Sequence, residues 1–314
     1  MSALRALHRQ LALGVALAVF CGAGATAQTT PVIHLGLAPF EGQAGPYYAQ
    51  DLGLFQAAGL NIDIQQFNGG GAIVSAIVGG SLQIGGGTPL PLAQARSRGI
   101  KVVIIAPGYI YDYKAPTPIN ALLVGVNSPY HNAKDLTGKT IAVTQVRGLD
   151  EVAVDAWLDT NGGDSHSVKF VEFPQNAMAD AVAAGRVDAA ELGDPALSDA
   201  LDTGKVRIFA KSYDAIGKRL FGSVWFASED WAAQHPDVVR KFAAAINQAG
   251  AWATRNPVAA AKVLQKYMKV TYTQAHEYHA RTIDPTFIQP IIDSAVRYKL
   301  LTTPMNANDL IWKG

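Results

Sequence analysis

Apolar and polar positions alternate along residues 61–67, and short apolar runs at 32–38 and 82–84 are bounded by glycine-rich turns. This pattern predicts three strands. Between them lie a helix at 46–58, stopped by Gly59, and a second helix opened by Gly69-Gly70-Gly71 and stopped by Gly79-Gly80. Residues 39–45 form a polar loop, and the third strand runs into Gly85-Gly86-Gly87-Thr88-Pro89.

The same order returns about a hundred residues later, the mark of a repeated unit. Strands are predicted at 139–145, 168–173 and 187–192, the last ending in Gly193-Asp194-Pro195. A loop at 146–150 precedes a helix at 151–159 with Val154, Trp157 and Leu158 on one face, and Gly162-Gly163 stops it. Pro174-Gln175-Asn176 opens the next helix, which ends at Gly185. The doubled pattern implies an α/β protein of two lobes, each a mainly parallel sheet flanked by helices. A single lobe with six such strands is the alternative that the repeat disfavours.

After Gly204 the pattern changes. Strands are predicted at 206–210 and 224–227, followed by helices at 229–234, 236–255 and 257–268. In the long helix Val239, Phe242, Ile246, Ala249 and Ala253 recur at helical spacing, a stripe for burial. Asn256 before Pro257 is a cap followed by proline at the first helical position. This α-helical C-terminal tail has few glycine turns and is expected to pack on one lobe as a scaffold.

Composition then excludes several classes. A net charge of +1, with Lys and Arg scattered, leaves no basic stripe for nucleic acid. The 30 glycines and 16 prolines suit tight strand-to-helix turns. Arg5, His8 and Arg9 precede an apolar run at 11–23 and the triplet Ala25-Thr26-Ala27, the three-part pattern of a signal peptide cleaved after Ala27. Cys21 lies in that segment behind the bulky Phe20, which does not suit lipidation. Removal of the segment leaves no cysteine, hence no disulfide or thiol chemistry. No later apolar run reaches the length of a membrane span.

In open parallel sheets ligands bind beyond the carboxyl ends of strands, where helix N-termini present free N–H groups. Two facing lobes would point six such loops at one cleft. Candidate ligand-binding residues are therefore Phe40, Glu41, Gln43, Gly70, Gly71, Gly87 and Thr88 from the first lobe, and Gln145, Arg147, Asn176, Glu191 and Asp194 from the second. The glycine triplet at 69–71 resembles an anion nest but lacks the Gly-Lys-Ser/Thr of a nucleotide loop. Arg147 is the one cation in the six loops and could fork onto a sulfonate or carboxylate; a side chain directed at solvent is the alternative. Glu191 would accept from a ligand N–H, while Asp194 suits a cap for the helix that starts near Pro195. Phe40, Tyr47, Tyr109, Tyr111, Phe221 and Trp225 offer aromatic walls, about half of them expected in the core. His131, His166 and His235 are dispersed, and His276 and His279 read as a surface pair on one helix, so no metal and no cofactor is expected. A Gly-x-Ser-x-Gly nucleophile elbow is absent as well.

Several stretches carry a resemblance. Tyr48-Ala49-Gln50-Asp51-Leu52-Gly53-Leu54-Phe55 with Ala58-Gly59-Leu60 is similar to the first helix of the periplasmic binding proteins for aliphatic sulfonates, taurine, nitrate and thiamine pyrimidines. Asp135-Leu136-Thr137-Gly138-Lys139-Thr140-Ile141-Ala142-Val143 resembles the opening of their second lobe. Gly185-Arg186-Val187-Asp188-Ala189-Ala190 and Asn256-Pro257 match further stretches, in order along the chain. The resemblance implies a type II binding-protein fold, with lobe 1 at 28–118 and 212–314, lobe 2 at 119–211, and crossings near 116–121 and 212–221. It also implies a monomeric periplasmic receptor that closes its hinge on a small organic anion such as an alkanesulfonate and delivers it to an ABC permease and its ATPase. Where the third strand of the family often ends in an acid followed by glycine, this chain has Gln83-Ile84-Gly85. The pyrimidine-synthesising relatives carry a cysteine-rich motif that the cleaved chain lacks, which argues against an enzyme. The rival readings are a binder of pyrimidine-like or other nitrogenous aromatics, an enzyme using Glu41 and Glu191, and a sensor on the same fold.

Overall fold

The computed structural model describes residues 31–271, 273–276 and 278–314; the predicted signal peptide and Cys21 lie outside them. From the amino side the described chain lays down β1 (Val32–Leu37), α1 (Gly45–Asp51), α2 (Leu54–Ala57), β2 (Asn61–Gln66), α3 (Gly70–Val78), β3 (Ile84–Gly87), α4 (Pro89–Ser97), β4 (Val102–Pro107) and β5 (Tyr109–Asp112). It then builds β6 (Asn120–Gly125), β7 (Thr140–Val143), α5 (Leu149–Thr160), β8 (Lys169–Glu172), α6 (Gln175–Ala183), β9 (Ala189–Gly193), α7 (Ala196–Asp202) and β10 (Val206–Ala210). β11 (Arg219–Phe221) and β12 (Val224–Ser228) lead to α8 (Glu229–Gln234), α9 (Pro236–Arg255) and α10 (Pro257–Met268), and β13 (Tyr278–His279) and α11 (Gln289–Arg297) follow.

Two five-stranded sheets result, in the orders β2-β1-β3-β12-β4 and β8-β7-β9-β6-β10. The orders match position by position. In each sheet the first three strands pair in parallel, and the fourth runs antiparallel to both of its neighbours. Each lobe is thus mainly parallel, with one reversed strand. That strand is β6 in one sheet and β12 in the other, and each follows shortly after the chain passes from one sheet to the other. A small third sheet, β11-β5-β13, joins the strand that precedes the first passage to the strand that follows the second and to β13 from the tail.

Packing follows the apolar pattern. The stripe Val239, Phe242, Ile246, Ala249 and Ala253 is buried, and α9 joins α1, β1 and β4 in one core. The Phe242 ring stacks on Phe55 at 5.9 Å and meets Trp225 edge-on at 6.1 Å. The second sheet has one core beneath α6 and α7 and another beneath α5, as alternating strand side chains require.

Local chemistry corrects several expectations. The helix expected over 46–58 is two helices, because Gly53 takes a left-handed conformation (φ 67°) between them. Helix α4 begins with Pro89 and carries Pro91 in its first turn, where a missing N–H costs nothing. Strand β4 is buried along its whole length and shows no alternation to read. His276 and His279 do not share a helix: His279 lies in β13, and its ring meets Tyr48 edge-on at 6.0 Å.

Candidate functional site

A cavity of about 770 Å³ opens between the strand ends of the two large sheets. Its walls include the N-cap residues of five helices: Gly69 for α3, Thr88 for α4, Gly148 for α5, Pro174 for α6 and Pro195 for α7. None of the five caps its helix with its own side chain. The parallel strands deliver their helices to this one space, so the positive ends of several helix dipoles converge there.

Of the first-lobe candidates, Phe40, Gln43, Gly70, Gly87 and Thr88 line the cavity. Phe40 lies against the other lobe: a Cβ on Gly193 would fall 2.4 Å from its ring, so glycine there permits the contact. The ring also meets Tyr109 edge-on at 6.2 Å. Gln43 Oε1 accepts from the Ala38 N–H at 2.9 Å, which pins the loop after β1. Gly71 is just outside the lining, and its N–H donates to Gln145 Oε1 at 3.4 Å, a bond from one lobe to the other. Glu41 is fully buried beside the cavity rather than on its wall.

Of the second-lobe candidates, Gln145 and Asn176 line the cavity, and Arg147, Glu191 and Asp194 do not. The Arg147 guanidinium turns to the first lobe, donating to the carbonyls of Lys299 at 2.9 Å and Leu300 at 3.3 Å. Its backbone is left-handed (φ 62°), its N–H donates to Glu151 Oε2 at 2.6 Å, and its carbonyl accepts from Gln94 Nε2 at 2.9 Å. Arg147 therefore sits as a strut between lobes, and no Lys, Arg or His lines the cavity among the described residues. Asp194 Oδ1 accepts from the N–H and Oγ of Ser198, at 2.9 and 2.7 Å, capping the first turn of α7.

Glu191 is buried behind the wall, with Oε2 accepting from Ser212 Oγ at 2.8 Å and Oε1 without a partner. Burial, and then the charge of Asp150, push its carboxyl well above the ordinary range. Asp150 lines the cavity, accepting from Tyr213 Oη at 2.8 Å and Thr144 Oγ1 at 2.6 Å; burial raises its pKa too. The charge of Asp150 thus adds to the cost of ionising a Glu191 carboxyl that burial already cuts off from water. Asn120, at the start of β6, also lines the cavity, and its Oδ1 has no partner. Asn120, Asp150, Tyr213 and Met268 are wall residues that the sequence pattern did not single out. Asp150 stood at the edge of a named loop, whereas Asn120 and Tyr213 come from the passages between sheets, where no repeat marks them.

The tail does more than support. Met268 reaches the cavity, and Thr271 Oγ1 donates to Asp199 Oδ1 at 2.9 Å. His276 is half-buried with Nδ1 3.0 Å from Asp194 Oδ2 and 4.0 Å from Glu41 Oε2, not at the surface as its spacing suggested. Its backbone N–H donates to Glu41 Oε1 at 2.5 Å, and the Glu41 N–H donates to the Asp194 carbonyl at 2.8 Å.

Two α/β lobes with matched strand orders and a cavity at their strand ends define the two-lobed periplasmic-binding-protein fold. The alkanesulfonate-binding protein SsuA from Xanthomonas axonopodis pv. citri, solved with MOPS bound, shares it with a TM-score of 0.74 at 19% identity, over 91% of this chain and 99% of that one. The chain belongs to the family described as NMT1/THI5 like, whose model matches residues 42–260. A Brucella abortus (strain 2308) protein described as a candidate binding protein is 27% identical over 278 residues, 84% of this chain and 80% of its own. The taurine-binding periplasmic protein of Escherichia coli K12 is 28% identical over 188 residues, 59% of this chain and 55% of that protein.

Proposed function

We propose that this chain is the periplasmic substrate-binding subunit of an ABC importer, which captures a small organic anion such as an alkanesulfonate between its lobes. The observation that carries this reading is the convergence of uncapped helix N-termini on one cavity. Backbone N–H groups at the starts of α3, α5 and α6 supply donors, with Leu90 alone offering one in the first three residues of α4, and the helix ends add partial positive charge without a side-chain cation. Such donors suit a sulfonate, whose oxygens accept several hydrogen bonds at once. Sulfonate- and taurine-binding relatives point the same way. The lobes divide near 118/119 and 211/212, and the β5–β11 pair at the passages serves as the hinge. The closed monomer would then dock on a permease driven by its ATPase. We read the protein as a binder and not an enzyme, since the wall acids are engaged without forming a nucleophile–base pair: Asp150 accepts from two hydroxyls, Asp199 from Thr271, Glu172 from the Val146 N–H, and Asp180 faces Lys205.

A specific observation favours a second ligand class. Asp150, Glu172, Asp180 and Asp199 line the cavity, and Asn120 Oδ1 awaits a donor. A solute with N–H groups, such as a pyrimidine-like aromatic against Phe40, would meet these acceptors. An aminoalkanesulfonate would satisfy both ends of the cavity. Thermal-shift and calorimetric titrations should separate the cases. A solute bound only by the native state adds about 2.7 kcal/mol of stability at a hundred times its Kd. Saturable stabilisation by alkanesulfonates or taurine is the expected result. A response to pyrimidines alone would transfer the assignment to the second class, and solute turnover seen by mass spectrometry would make the protein an enzyme.

A further inference from the structure

We propose that Glu41, Asp194 and His276 form a binding site for a divalent first-row cation of the zinc class, placed between the lobes and outside the solute cavity. Glu41 follows β1 in the first lobe, Asp194 follows β9 in the second, and His276 comes from the tail. One donor atom from each lies within 4.8 Å of the other two. Donors on a tetrahedral zinc with bonds of about 2.0–2.1 Å stand about 3.3 Å apart. The imidazole Nδ1 is 3.0 Å from Asp194 Oδ2 and 4.0 Å from Glu41 Oε2, so the first pair already stands near that spacing and the Glu41 carboxylate must move in by about 0.7 Å.

The surroundings pre-set the donors. Asp194 Oδ1 is held by Ser198, and Glu41 Oε1 accepts the His276 backbone N–H, which turns Oδ2 and Oε2 toward the imidazole. Carboxylate ligands in metal sites are fixed by such outer bonds. Charge argues the same way. Both carboxyl groups are fully buried, and an imidazolium brings one positive charge to them where a divalent ion brings two. The half-buried ring leaves an approach from solvent and room for water as a further ligand. Imidazole with carboxylates suits zinc, cobalt or nickel better than calcium or magnesium, which prefer all-oxygen shells.

The site is tested by calorimetric titration of untagged, chelator-stripped protein with zinc chloride. One ion per chain is expected. His276→Ala should weaken binding at least tenfold, and Glu41→Gln should do likewise. His34→Ala, which removes an exposed imidazole paired with Asp63, should leave it unchanged. Less than one equivalent bound, or affinity unaltered by His276→Ala, overturns the proposal. Should either variant fail to fold, the wild-type chain still decides the matter. Zinc should protect His276 from diethylpyrocarbonate while leaving His34 reactive, as mapped by mass spectrometry; equal labelling with and without zinc also overturns it. No solute enters these measurements, so their failure leaves the proposed transport role standing.

Discussion

Arg147 shows how much a side chain's direction matters. Its place in a strand-end loop was readable from glycine and periodicity, but its guanidinium bonds carbonyls that lie 152 and 153 residues further along the chain. A contact of that range leaves no local trace. Arg147→Ala is therefore expected to weaken a sulfonate and an uncharged solute alike, by roughly 3–10-fold, about one hydrogen bond's worth. Abolition of anion binding alone would show that the guanidinium reaches the solute after all. Asp155 offers a second residue-level expectation. It is buried in α5, and desolvation, then the charges of Glu151 and Asp159, push its carboxyl up to about 8. The native chain thus holds a proton that the unfolded chain releases above about pH 4. Its contribution to stability is greatest at low pH, falls as pH climbs from about 4 to 8, and is level beyond. Asp155→Asn should flatten that slope and raise Tm at pH 8 by roughly 2–6 °C, read by calorimetry across pH. An unchanged slope would mean the carboxyl is ionised in the native state.

At the scale of elements, what could be read was whatever the chain repeats at short range. The stripe of α9, the glycine stops and the order of three strands in each lobe follow from periods of two and 3.6 residues. Strand β4, buried throughout, and α4, which starts among prolines, carry neither period, and the passages that bring Asn120 and Tyr213 to the wall repeat nothing. The glycine loop at 69–71 is legible as a candidate nest, and the loops before α4, α5 and α6 are expected at the same cleft, but which of their residues reach its wall depends on side-chain directions that the pattern does not carry. Thr88, at the start of α4, tests that convergence. Its extended backbone (φ −71°, ψ 159°) accepts an N-cap side chain without strain. Thr88→Asp should stabilise α4 by about 0.5–1 kcal/mol through capping and the helix dipole. The same carboxylate would repel a bound anion, so alkanesulfonate affinity should fall more than tenfold in titration calorimetry. If affinity is retained, the anion sits elsewhere in the cavity.

For the molecule as a whole, the two sheets are alike in order but unlike in how the chain supplies them. All five strands of the second sheet come from one stretch, β6 to β10, whereas the first needs β12 from beyond it. Pairings between distant segments form late because loop closure must be met before they stabilise anything. During refolding, pulse-labelled hydrogen exchange should protect amides of β7 and β9 before those of β3 and β4. The reverse order, or simultaneous protection, would mean the first lobe assembles without waiting for β12. The reversed strand at the fourth place of each sheet thus sets a schedule. The lobe that the chain begins first is the one it finishes last, and until β12 arrives β3 and β4 present unpaired edges to any other strand nearby.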